Sequence, residues 1–212
     1  MDMQLSYKSD CPNQVHQLNL SISQNYYLLK NGEIHYQQKK FDVNWGNYSR
    51  TGKRHLVNFL IRDHYSNCFY AETHPIDEMP HLKEFLFNAW KEKEDFEFCG
   101  IPNYIIGGKH IVESYPDILN FCKNTNCTFE LATSGFATGI RSVRDWEKNI
   151  KYFTLFENLR HIDDFQSNSN LICREINLRD SGKTEPNLKK WIENISQVKS
   201  YNTDAEFYNL FL

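Results

Sequence analysis

The run His55-Leu56-Val57-Asn58-Phe59-Leu60-Ile61 constrains this chain most. It is apolar on both of the alternating faces that a strand presents. Such a segment belongs in the middle of a sheet covered on both sides. Asp63-His64-Tyr65-Ser66-Asn67 supplies a turn, and Cys68-Phe69-Tyr70-Ala71-Glu72 returns as the next strand. Upstream, Asn31-Gly32 separates Tyr26–Lys30 from Glu33–Tyr36, and Asn-Gly between β-prone runs marks a hairpin because both residues accept positive φ. Lys40-Phe41-Asp42-Val43-Asn44-Trp45-Gly46 reads as the strand preceding the apolar run, which makes an antiparallel meander of three. Residues 1–24 are polar and weakly patterned and read as an arm.

Beyond Pro80 the period changes. Leu82, Phe85, Leu86, Ala89 and Trp90 recur at helical spacing and predict a helix over 80–95. Tyr104-Ile105-Ile106 reads as a buried strand, 115–123 as a short helix, 127–131 as a strand, and 139–158 as a longer helix. This order predicts an α/β fold, a mixed five-stranded sheet with helices on both faces. Residues 187–198 and 205–211 add helical pieces at the end. The division expected is an arm and hairpin over 1–37, a core over 38–158, and a partly helical extension over 159–212.

Composition narrows the function. With 212 residues, 40% hydrophobic and 15% aromatic, the chain can bury a core, and its net charge of −3 argues against avid non-specific binding to nucleic acid without a local basic patch. Six cysteines stand without a Cys-x-x-Cys pair. Cys11 with His16, or Cys122 with Cys127, offers half a zinc site with no second half at matching distance, so reduced thiols in a cytoplasmic protein are expected. No segment approaches the apolar length that spans a bilayer, and the start lacks a signal-peptide core, so no membrane association is expected.

The local sequences, in this order, resemble the integrase core shared by retroviral integrases and bacterial transposases, an RNase H-like fold. The resemblance covers about 38–158 and rests on Phe41-Asp42-Val43-Asn44, the run from His55 to Asn67, Gly100-Ile101-Pro102 leading into Ile105-Ile106, and the stretch Gly135 to Gly139 before a helix. The family's chemistry uses two Asp and one Glu to hold two divalent ions that activate a water or a DNA 3′-hydroxyl. Oxygen ligands suit Mg²⁺ because it is a hard cation. Carried over by position, the three carboxylates fall on Asn44, Gly108 and Ser142, none of which is an acid. The resemblance therefore implies a core without the metal site and without a cofactor, acting as a binding or assembly module linked to DNA mobilisation. The alternative is an active strand-transferase or nuclease that holds Mg²⁺ with displaced acids, for which Asp42, Glu113, Asp145 and Glu147 are the candidates. A third reading is a protein-interaction scaffold, paired with another protein or with a second copy of itself.

Two basic groups could meet DNA. At about 100° per residue, Arg141, Arg144, Lys148 and Lys151 share one quadrant of the 139–158 helix, opposite Val143, Trp146, Ile150 and Phe153. Arg50, Lys53 and Arg54 form a second cluster on a loop, with His55 beside them. A solvated helix face with pairing to Asp145 and Glu147 is the plainer reading of the stripe. His110, two residues after Gly108, reads as an ordinary strand-end residue.

Overall fold

The computed structural model describes residues 9–132, 140–179, 185–196, 198–201 and 203–212. Its centre is a strand that the meander above did not include. β1 runs Val15–Leu28 and lies between β3 (Arg54–Asp63), antiparallel to it, and β5 (Tyr104–Gly107), parallel to it. β4 (Phe69–Pro75) pairs antiparallel with β3, and β6 (Thr128–Leu131) pairs parallel with β5, so the order is β4-β3-β1-β5-β6. The short β2 (Ile34–Tyr36) pairs with the far half of β1 across Asn31-Gly32, the hairpin expected.

Residues 40–46, expected as the first strand, form an irregular segment and turn instead. The cause is local. Asn47 Oδ1 accepts from the Asn44 amide at 2.7 Å, and Asn44 Oδ1 accepts from the Gly46 amide at 2.8 Å, so these side chains replace ladder partners. The apolar residues of this segment anchor a loop. Val43 is buried, Phe41 meets His55 edge-on, and Trp45 stacks over His110.

Alternation along β1 divides the layers. Leu18, Leu20 and Ile22 enter the core on one face, with Ile61, Phe59 and Val57 opposite them on β3. That face is covered by α1 (Leu82–Trp90) and α3 (Ile118–Thr125), joined at the C-terminus by α8 (Asp204–Tyr208), whose Phe207 packs on Trp90 and Phe121. His16, fully buried here, accepts at Nδ1 from the Trp90 indole N–H at 3.1 Å, and burial lowers its pKa to about 3. The imidazole is therefore neutral, and at 3.9 Å from Asp63 it makes no hydrogen bond.

The other face of β1 carries Gln17, Asn19, Ser21 and Ser23, all neutral and polar. It is covered by α4 (Ile140–Phe156) and by α5 (Ile162–Ser167) and α6 (Ser169–Leu178). α2 (Lys109–Ser114) follows β5 directly, and α7 (Asn187–Asn194) buries Leu188 and Trp191.

The outer edge of β4 is closed by side chains in place of another strand. Asn177 accepts from the Phe69 amide at 3.1 Å and donates to the Phe69 carbonyl at 2.8 Å. One turn earlier on α6, the Cys173 thiol lies 3.3 Å from the Ala71 amide and 3.5 Å from its carbonyl, and Gln166 of α5 donates to the Thr73 carbonyl at 3.1 Å. Alternate residues of a strand edge without a further strand are thereby satisfied from one helical layer.

Candidate functional site

In a parallel pair, residues that continue both strands stay side by side. Leu18 pairs with Gly107, so Asn19 and Gly108 are the next neighbours at the end of β5. Asn44 is exposed in its turn and is displaced from the role expected for it; the first-strand position next to Gly108 belongs to Asn19, again a neutral amide. The place beside Gly108 is filled. A Cβ there would stand 2.6 Å from His110 Cε1 and 2.7 Å from Nδ1. The ring is held where it is, donating from Nε2 to the Leu20 carbonyl at 3.1 Å and stacked on Trp45. His110 is thus more than a strand-end residue: it occupies the seat of a side chain that Gly108 lacks.

Ser142 is buried on α4 and lines a cleft with Arg62 and Phe69, on the β3–β4 side of the sheet. Of the displaced acids, Glu147 alone turns inward. Trp146 Nε1 donates to Thr73 Oγ1 at 2.9 Å, that hydroxyl donates to Asn58 Oδ1 at 2.9 Å, and Asn58 Nδ2 reaches Glu147 Oε1 at 3.2 Å. Burial raises the Glu147 pKa, opposed by hydrogen bonds from Ser23 and Asn58 and by the charge of Lys40. The other three stay outside. Asp42 is exposed, Glu113 pairs with Lys109 at 3.0 Å, and Asp145 pairs with Lys148 at 3.5 Å. Among the described residues, no three His, Cys, Asp or Glu side chains gather as a metal ligand set. The loop expected at Gly135 to Gly139 lies outside the described residues.

The α4 stripe has the predicted orientation. Trp146, Ile150 and Phe153 are buried, while Arg141, Arg144, Lys148 and Lys151 are exposed, with Lys151 Nζ 4.4 Å above the Tyr36 ring. The loop cluster is more committed. Arg54 is held by Asp77 at 2.8 Å and by Glu78, which raises its pKa, and Lys53 lies 4.5 Å over Tyr27. A feature with no local signature appears beside α4. Arg62, Arg141, Arg179 and Lys190 line a cleft of about 610 Å³ with Ser66, Asn67 and Ser142.

Comparison with known proteins rests on shape. No family model and no curated protein matches the sequence. Among solved structures, the HTLV-2 integrase catalytic core domain in complex with magnesium matches in its trimeric form with a TM-score of 0.53 and 10% identity, over 86% of this chain and 99% of that one. Its dimeric form matches at 0.51. The fold is that of a retroviral integrase core. A simian T-cell lymphotropic virus intasome in complex with a PP2A regulatory subunit matches at 0.54 and 10% identity, over 92% of this chain and 60% of that one. Within this integrase-core fold Asn19, Gly108 and Ser142 offer no anionic oxygen. Hard divalent cations need clustered anionic oxygens. Here Asn19 is neutral, Gly108 has no side chain, an imidazole fills its place, and Ser142 lines a cleft that carries Arg62, Arg141, Arg179 and Lys190 together with Asp145 and Glu185.

Proposed function

We propose that this chain is an integrase-core domain that binds nucleic acid, or assembles on it, as part of a DNA-mobilising system without itself carrying out two-metal strand transfer. The observation that supports this reading is the filled seat at Gly108: the fold is kept while His110 takes the space of a metal-ligating side chain. The exposed stripe of Arg141, Arg144, Lys148 and Lys151 supplies a face for phosphates. Self-association or a protein partner fits the same role, since the matching integrase structures include a trimer, a dimer and an intasome. Glu147 favours a second reading, cleavage through a displaced acid, because it is the one of the four candidate acids that faces inward.

Fluorescence anisotropy with short labelled duplexes and single strands, at several salt concentrations, tests the first reading. Four duplex phosphate contacts give a log–log salt slope of roughly −3 to −4. Arg144→Glu with Lys148→Glu should abolish binding and leave the fold intact, as surface changes shift stability by only about 0.5 kcal/mol. Binding indifferent to both changes, or none at low salt, would leave the protein scaffold as the better account. Plasmid nicking with Mn²⁺ that disappears in Glu147→Gln would establish the second reading.

A further inference from the structure

The cleft between α4, the β3–β4 turn, Arg179 at the end of α6, and α7 has a charge arrangement that packing does not explain. Arg62 comes from β3, half-buried. Its Nε and one terminal nitrogen donate to Gln17 Oε1, the former at 2.8 Å, and the other terminal nitrogen reaches Asn67 Oδ1 at 3.2 Å. Asn67 adopts φ +64°, a conformation that asparagine tolerates and that belongs to the turn. Both partners are neutral. Arg62 forms no ion pair with any described residue, and Asp63 next to it points to the opposite face of the sheet, where Ser66 and Asn13 hydrogen-bond it. Burial holds Arg62 below the ordinary guanidinium pKa, with Asp63 opposing and Arg141 adding to the depression.

A second arginine near a half-buried first one raises the electrostatic cost of both. The two acids on the cleft wall are each shared with a lysine outside the lining: Asp145 is 3.5 Å from Lys148, and Glu185 is 3.2 Å from Lys189. Arg179 is paired with Glu175 at 2.8 Å, whereas among the described residues Lys190 donates only to the Tyr65 carbonyl, at 2.7 Å, and sits over the Tyr65 ring. The Arg62 and Arg141 guanidinium groups, without a carboxylate ion pair among the described residues and set beside a lysine that has no carboxylate partner among them, match the oxygens of a phosphate group, which accept several charge-assisted hydrogen bonds at once.

We propose that this cleft is a phosphate-binding site in which the Arg62 and Arg141 guanidinium groups, with Lys190 beside them, hold the oxyanion of a phosphate mono- or diester. Its volume of about 610 Å³ accommodates a nucleotide-sized group. The phosphate comes either from a small molecule or from a nucleic-acid strand. The site does not need the outer α4 stripe, because Arg144 and Lys148 are not among its lining residues.

The test is binding measured by calorimetry and thermal shift at matched ionic strength. The probes are inorganic phosphate, a nucleoside monophosphate, and a short single strand with and without a 5′-phosphate. Phosphate should stabilise the chain where chloride does not. Arg141→Ala, on an exposed helix position, should weaken binding about ten-fold or more. Arg62→Gln should do the same, and Lys109→Glu, on α2 and outside the cleft lining, should leave phosphate binding unchanged. A strand that binds more tightly than the mononucleotide assigns the site to nucleic acid, and equal affinities assign it to a small phosphate; either supports the site. No phosphate-specific effect in any arm, or wild-type affinity in Arg141→Ala, overturns it.

Discussion

Asn177→Ala should destabilise the chain more than any other single truncation at the sheet edge. The amide is fully buried and satisfies both backbone groups of Phe69, at 3.1 and 2.8 Å, with a further bond to the Cys173 carbonyl at 2.8 Å. Phe69 is itself 3% exposed, so removing the amide leaves a backbone N–H and a C=O without water to replace it. Each orphaned group costs about 1–3 kcal/mol, which sums to about 2–6 kcal/mol for the pair. Local relaxation toward solvent makes about 3 kcal/mol the working figure, or about 6–12 °C in Tm for a chain of this size. Cys173→Ala should cost about 1 kcal/mol, because a thiol is a weak donor and a weak acceptor. Urea unfolding followed by tryptophan fluorescence measures both. A loss below about 1 kcal/mol for Asn177→Ala, or a larger loss for Cys173→Ala, would refute the idea that side chains stand in for the missing strand.

Two further outcomes concern the interior under α4. Burial raises the Glu147 pKa in the folded state, so the unfolded chain releases that proton first as pH rises. Stability attributable to this group is therefore greatest below the unfolded value and falls as pH rises through the folded one. Glu147→Gln should be more stable than the parent at pH 7 and equal to it in acid, as read from denaturation midpoints across pH; a parent more stable at pH 7 would contradict this. Gly108→Asp must push His110 off the Leu20 carbonyl, at a cost of about 1–2 kcal/mol, and should gain no magnesium affinity. Magnesium-dependent stabilisation of that single variant, in a thermal melt, would show the seat to be open after all.

The integrase-core fold was largely legible, and the exception is instructive. β3, β4, β5, β6 and the helices at 82–90 and 140–156 follow from apolar runs and periods that any covered sheet imposes. β1 was readable too: Gln17-Leu18-Asn19-Leu20-Ser21-Ile22-Ser23 alternates strictly. Its polar residues suggest a wet face and hence an arm, whereas that face lies under α4. With that strand read as an arm, the first site position falls on Asn44 in place of Asn19. α5 and α6 carry weaker periods, and their purpose, closing the β4 edge, exists only once the sheet is formed. The Arg62–Arg141–Lys190 cleft joins residues far apart in the chain, so no local pattern could show it. The α4 stripe needed only helical geometry, which is why Arg141 to Lys151 fell where expected.

The imidazole beside Gly108 makes the distance between this chain and a metal-holding one a matter of route as well as of composition. Acids at 19, 108 and 142 would each arrive alone, and none by itself gathers enough negative charge to hold a divalent cation. The step at 108 also meets an occupant that must first lose both its carbonyl partner and its Trp45 contact. The change at 108 therefore lowers stability before any cation is held. A path that descends before it climbs is rarely taken by single changes.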